Sequence, residues 1–228
     1  MPPGSAVDIP PPLDAAAVSA AAHELAAGDP DMAALLAAQG VPPVWHKGPG
    51  FETLVDTVLG QQVSLSSARA ALERVRSAAG AVTPEAVAAV GEDGLRGAGL
   101  TRQKARYLVG LADAVLARRL DLPALAQLPD VAVIAALTSV KGVGPWTADI
   151  YLLMGLGRAD VWPSSDLALI VAARQLLRLA PDASAAQVSV VAEGWRPYRS
   201  GAPGCWVPSS GCRARCRRFF PTTSFAWR

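Results

Sequence analysis

Cysteine is almost missing from this chain, and the 3 present fall together near one end, at Cys205, Cys212 and Cys216. They cannot build a disulfide framework, and such usage points to a reducing compartment. Aromatic residues are scarce as well, at 6%, which makes each of the 6 tryptophans worth placing. No uninterrupted apolar run approaches the ~18 residues that a membrane span needs, so no membrane partner is expected. The opening residues, MPPGSAVDIPPPL, lack the basic patch and apolar run of a secretory signal. A cytoplasmic protein is the expectation. Alternating strand-like patterns are also rare, whereas alanine and leucine recur at helical spacing. That predicts an all-α fold. A hydrophobic content of 51% over 228 residues allows one large domain or two small ones.

Excess charge is lacking too. The net charge is +2, but it is unevenly spread. Residues 1–190 carry 14 Lys+Arg against 18 Asp+Glu, and residues 191–228 carry 7 Arg against 1 Glu. A grip on nucleic acid by the body of this chain must therefore come from local placement and from backbone amides.

The informative stretch runs from Leu137 to Asp166. Val140-Lys141-Gly142-Val143-Gly144-Pro145 reads as a tight turn, with two glycines that allow positive φ and close approach of a large partner. Pro145 suits the first position of a helix, which is predicted from Trp146 to about Met154. Its N-terminus would offer unpaired N–H groups and a positive dipole end to an anion. With a helix from about Val131 to Ser139, the unit predicted over 131–154 is a helix-hairpin-helix, which holds a DNA phosphate without reading sequence. Lys141, Gly142, Val143, Gly144 and Thr147 are the candidate DNA-binding residues of this hairpin.

This turn, the Trp146-Thr147-Ala148-Asp149 helix start and the Asp160-Val161-Trp162-Pro163-Ser164-Ser165-Asp166 loop resemble the signature of the helix-hairpin-helix (HhH-GPD) DNA glycosylase superfamily, in its 3-methyladenine DNA glycosylase branch. The resemblance covers about Phe51 to Ser200. It implies an HhH-GPD fold of two helical subdomains with the active-site cleft between them. One subdomain would join residues 14–50 to 157–200, and the other would be 51–156. Residues 1–13, rich in proline, would be a mobile arm.

The resemblance also implies roles for single residues. Asp166 stands where the family has its catalytic aspartate; on spacing alone it would be an ordinary helix cap. Trp146, Ile150 and Trp162 would line a base pocket, with electron-rich rings favouring a cationic alkylated base. Core packing is an equal reading for Trp162. Trp146 stands where lyase-type relatives have a lysine that forms a Schiff base, and indole cannot do that. A monofunctional glycosylase of base excision repair follows, acting as a monomer on double-stranded DNA containing damaged bases, and so nucleoid-associated. Gln61 and Gln62, at the break between two helices, would form the wedge that fills the hole left by a flipped nucleotide. The plainer reading has them satisfying backbone groups at that junction. Arg102, Lys104 and Arg106 either meet phosphates or line a solvated face.

No cofactor is expected beyond a monovalent cation that the resemblance implies at the hairpin carbonyls. Lyase-type relatives carry a four-cysteine cluster. Three cysteines spaced C-x6-C-x3-C exclude four-thiolate ligation within the chain, so no metal site is predicted. Residues 201–228 break both the helical periodicity and the resemblance, which suggests a shifted reading frame; the alternative is a basic DNA-contacting arm. Three other readings of the whole chain remain open. They are a glycosylase for uracil or a deaminated purine, a non-catalytic helix-hairpin-helix DNA-binding protein, and the inactive product of a disrupted gene.

Overall fold

The structure, a computed structural model, describes residues 9–201. The cysteine-containing tail lies outside the described residues apart from Gly201, as do the first eight residues of the arm. Every regular element described is helical. In chain order these are α1 (Ala15–Gly28), α2 (Pro30–Gln39), α3 (Phe51–Leu59), α4 (Leu65–Ala79), α5 (Pro84–Gly97), α6 (Arg102–Leu116), α7 (Leu122–Leu125), α8 (Asp130–Thr138), α9 (Pro145–Met154), α10 (Leu167–Leu176) and α11 (Ala185–Ala192). Two 3₁₀ turns, Glu193–Trp195 and Arg199–Gly201, follow. The all-α expectation holds.

Short polar side chains start most of these helices by accepting an orphan N–H from the first turn. Asp14, Ser64, Thr83 and Thr101 do so for α1, α4, α5 and α6. Asp29 serves two helices at once. Its N–H closes α1 on the Leu25 carbonyl, and its carboxylate accepts from Asp31 and Met32 at the start of α2. α5 bends within its length, because Gly91 adopts φ 67° and lets the chain turn and continue.

The chain divides into two compact units. The first holds residues 47–156 together with 9–11. Its centre is α3, where Phe51, Leu54, Val55, Val58 and Leu59 are all buried. Two threonines on the same helix are buried with their hydroxyls spent, Thr53 on the Gly48 carbonyl and Thr57 on the Thr53 carbonyl. Leu95 of α5, Leu108 and Leu111 of α6, Leu137 of α8 and Tyr151 of α9 add to the core of this unit. Residues 47–50 belong here and not with the N-terminal helices. Lys47 N–H donates to the Met154 carbonyl at 2.7 Å, and Gly50 N–H donates to the Tyr151 hydroxyl at 3.0 Å.

The second unit holds residues 12–46 and 157–201. Its core gathers Leu25, Met32, Leu35, Ile170, Ala173, Leu176, Val188 and Trp195. The arm expected over 1–13 is shorter than the sequence suggests. Leu13 N–H donates to the Gly157 carbonyl at 2.9 Å. Gly157 has φ 65°, and a Cβ there would lie 2.8 Å from that of Pro12, so this glycine makes the seat into which the proline fits.

Candidate nucleic-acid interface and active site

In the first unit the hairpin is built from both ends. α8 stops at Ser139, and the turn closes with Val140 N–H on the Leu137 carbonyl at 3.1 Å and Val143 N–H on the Val140 carbonyl at 3.0 Å. Val140 and Val143 point inward and are buried, while Lys141 between them is exposed. Gly142 has φ 96°, and a Cβ there would lie 2.3 Å from Cγ of Tyr107 on α6. Only glycine meets both demands. Gly144 then caps α9 without a side-chain hydrogen bond, and Pro145 opens the helix. The end of α9 thus offers backbone amides and a positive dipole in place of a side chain, an arrangement suited to a phosphate. Thr147, one of the candidate hairpin residues, is only 1% exposed, so its hydroxyl is part of the framework and not a surface contact.

Gln61 does not behave as a wedge. Its side-chain Nε2 donates to the Gly142 carbonyl and to the Thr147 hydroxyl, both at 2.9 Å. Both amide hydrogens are spent on the hairpin, which leaves Gln62 as the wedge candidate. Gln62 is exposed and has φ 56°, a left-handed conformation at the break between α3 and α4. Lys104 meets neither the phosphate role nor the solvated face expected of it. Instead its ammonium donates to the Leu59 carbonyl at 2.5 Å, closing α3 just before the two glutamines, and burial lowers its pKa. Arg106 lies 3.9 Å from Glu92.

Helical spacing puts Trp146, Asp149 and Ile150 on one face of α9. All three are half-buried. Asp149 escaped the sequence reading. Burial pushes its carboxyl up to about 6. The signal available in sequence was its place three residues after Trp146.

In the second unit Asp166 caps α10. Its backbone N–H closes a turn on the Pro163 carbonyl at 2.8 Å, and its Oδ1 accepts from Leu169 N–H at 3.0 Å. The carboxylate is half-buried at the N-terminus of α10, the positive end of the helix dipole.

The loop before Asp166 is tied down by residues that no motif announced. Arg199 clasps the Asp160 carboxylate with two nitrogens, at 2.7 and 3.0 Å, and Arg196 joins at 2.5 Å. Ser200, buried, accepts from Val161 N–H at 2.9 Å and donates to the Arg158 carbonyl at 2.7 Å. Trp162 is held in this scaffold. Its indole N–H donates to Ser189 at 2.9 Å, and its ring meets Trp195 edge-on at 5.7 Å. Core packing, the second reading for Trp162, is what the structure favours, because the indole has found both an apolar wall and a hydrogen-bond acceptor.

Comparison with known proteins places this architecture. Residues 55–197 match the model of the family described as HhH-GPD superfamily base excision DNA repair protein. The protein YfjP of Bacillus subtilis is 26% identical over 160 residues, 67% of this chain and 56% of that protein. DNA-3-methyladenine glycosylase 1 of Schizosaccharomyces pombe is 29% identical over 156 residues, 67% of this chain and 68% of its own length. A solved structure of S. pombe 3-methyladenine DNA glycosylase (Mag1) in complex with abasic DNA superposes with a TM-score of 0.75 at 27% identity, covering 82% of this chain and 95% of that one. The chain thus spans little more than half the length of one of these relatives and about two thirds of another. Since the family match takes in the hairpin, the α9 face and the Asp166 loop alike, the chain belongs to the HhH-GPD superfamily of base excision DNA repair proteins.

Proposed function

We propose that this protein is a monofunctional DNA glycosylase that hydrolyses the N-glycosidic bond of alkylated purines, 3-methyladenine above all, flipped out of duplex DNA. The observation that carries the reading is Asp166, a carboxylate held by the cap of α10 and by the braced loop before it. Breaking the bond to the base leaves positive charge on the sugar, and a fixed carboxylate stabilises that charge. The same carboxylate orients the attacking water and takes its proton as the new C–O bond forms. A base that carries positive charge departs with the bonding electron pair as a neutral molecule, so modest catalysis suffices. Trp146 and Ile150 would border the extruded base, the indole by cation–π attraction worth ~0.5–2 kcal/mol.

The hairpin would hold the DNA backbone through the amides of Gly142 and Gly144 and those that open α9, with Lys141 nearby. Its backbone carbonyls would supply the uncharged oxygens that suit a monovalent cation. Such an ion would bridge the turn to a phosphate, and no step of the chemistry runs through it. Trp146 in the first turn of α9 supports hydrolysis without strand cleavage, since it supplies no amine. We place the protein in the cytoplasm as a monomer on damaged duplex DNA.

The cap hydrogen bond of Asp166 equally suits a protein that binds DNA without cutting a base from it, so one substitution separates the two. Asp166→Asn should abolish release of 3-methyladenine from an alkylated duplex while leaving affinity for an abasic duplex within about threefold of wild type, because asparagine still caps a helix. A wild-type protein that binds but releases nothing from a panel of damaged duplexes would leave only the binding reading. A borohydride-trapped covalent adduct with abasic DNA would refute the absence of lyase chemistry.

A further inference from the structure

We infer that Gln61 is a positioning residue that fastens the phosphate-gripping hairpin to the insertion loop, so that the two act on DNA as one rigid piece. This rests on the DNA-binding reading above. Gln61 and Gln62 are neighbours in the chain, yet the first is spent on the hairpin and the second is exposed with φ 56°. The acceptors of Gln61 lie 81 and 86 residues further along, one in the turn and one just past it. One is the Gly142 carbonyl and the other is the Thr147 hydroxyl in the first turn of α9.

The consequence for the turn is geometric. The peptide joining Gly142 to Val143 is held at both ends, its carbonyl by Gln61 and its N–H by the Val140 carbonyl at 3.0 Å. A planar trans peptide pinned at both ends cannot rotate, so the amides on either side of it keep their directions. Tyr107 closes one side of Gly142. On the other strand of this knot Lys104 holds the Leu59 carbonyl, two residues before Gln61. Loss of the Gln61 amide would take a donor from two acceptors, one of them the buried Thr147 hydroxyl, where losing a partner costs more than the bond itself. The anion site at α9 and the left-handed residue Gln62 therefore share one support.

The experiment measures binding of the full chain to two duplexes, one carrying a tetrahydrofuran abasic analogue that cannot be cleaved and one undamaged, over a range of salt. Gln61→Leu should bind the abasic probe about tenfold more weakly. Its salt slope should flatten by about one phosphate, a change that simple loss of stability in a still-folded protein would not produce. Thr147→Val should act in the same direction, and the double variant should lose less than the sum of the two. Gln61→Glu keeps the shape but replaces the donor with a carboxylate. Its binding, relative to wild type at each pH, should recover in part as pH falls towards about 5 and the carboxyl gains one proton to donate. Variants that are folded by circular dichroism and show wild-type affinity and slope would overturn the positioning role alone. A Gln61→Glu variant with no such recovery would also count against it. Wild-type protein that binds neither probe would overturn the DNA-binding reading as well.

Discussion

Asp149 is a carboxyl whose folded environment raises it from 3.8 to about 6, with desolvation as the cause. A group shifted in this direction holds its proton more tightly in the folded state than in the unfolded one. Its effect on stability is then favourable below the unfolded value and is lost as pH rises towards 6, where the folded protein must carry a half-buried charge. Asp149→Asn removes that charge. The variant should melt at the same temperature as wild type near pH 3.5 and progressively higher than wild type as pH rises through about 6, a comparison that thermal unfolding monitored by circular dichroism can make. Asp166 sits in a different setting, at a helix N-terminus with a backbone N–H bound to it. Residue type alone does not distinguish the two. Trp162 is likewise placed by its surroundings, between Ser189 and Trp195.

At the scale of elements, the hairpin depends on one position more than on any other. Gly142 combines φ 96° with a ring carbon 2.3 Å from where a Cβ would stand. Gly142→Ala would strain the backbone by ~1–3 kcal/mol and push Tyr107 away besides. The expected result is a lower denaturant midpoint together with affinity for abasic duplex reduced by at least about tenfold, read by equilibrium unfolding and by a binding titration. Gly144, with φ −92°, makes no such demand, although in sequence the two glycines look alike. Most helix starts were legible, because capping is a local matter. Asp14, Asp29, Ser64, Thr83, Thr101 and Asp166 each bond an N–H within three residues of themselves. The role of Gln61 was not legible, because its acceptors lie more than eighty residues away. Lys104 is a similar case, taken by a carbonyl at the end of a helix 45 residues earlier.

For the molecule as a whole, charge sets the manner in which it would hold DNA. Several cations of the described residues are committed to carboxylates, among them Arg76 with Glu52 and Glu73, Arg178 with Asp31, and Arg196 and Arg199 with Asp160. Binding should therefore neutralise few phosphates. The slope of log affinity against log salt for an abasic duplex should be shallower than about −5, where each neutralised phosphate contributes roughly −0.9. A slope near −10 would show that the arginines after Gly201 join the contact.

What the sequence by itself determined is whatever a few consecutive residues can enforce: helix starts, the glycine turn with its proline, the distance from Trp146 to Asp166, and with them the family. The tertiary structure decided which polar and aromatic side chains remain available for chemistry. Gln61, Lys104 and Trp162 were assigned to partners far along the chain, and the loop before Asp166 was braced by Arg199 and Ser200. The physical reason is that a hydrogen bond is chosen by proximity in space, and a chain read in order carries only proximity along itself.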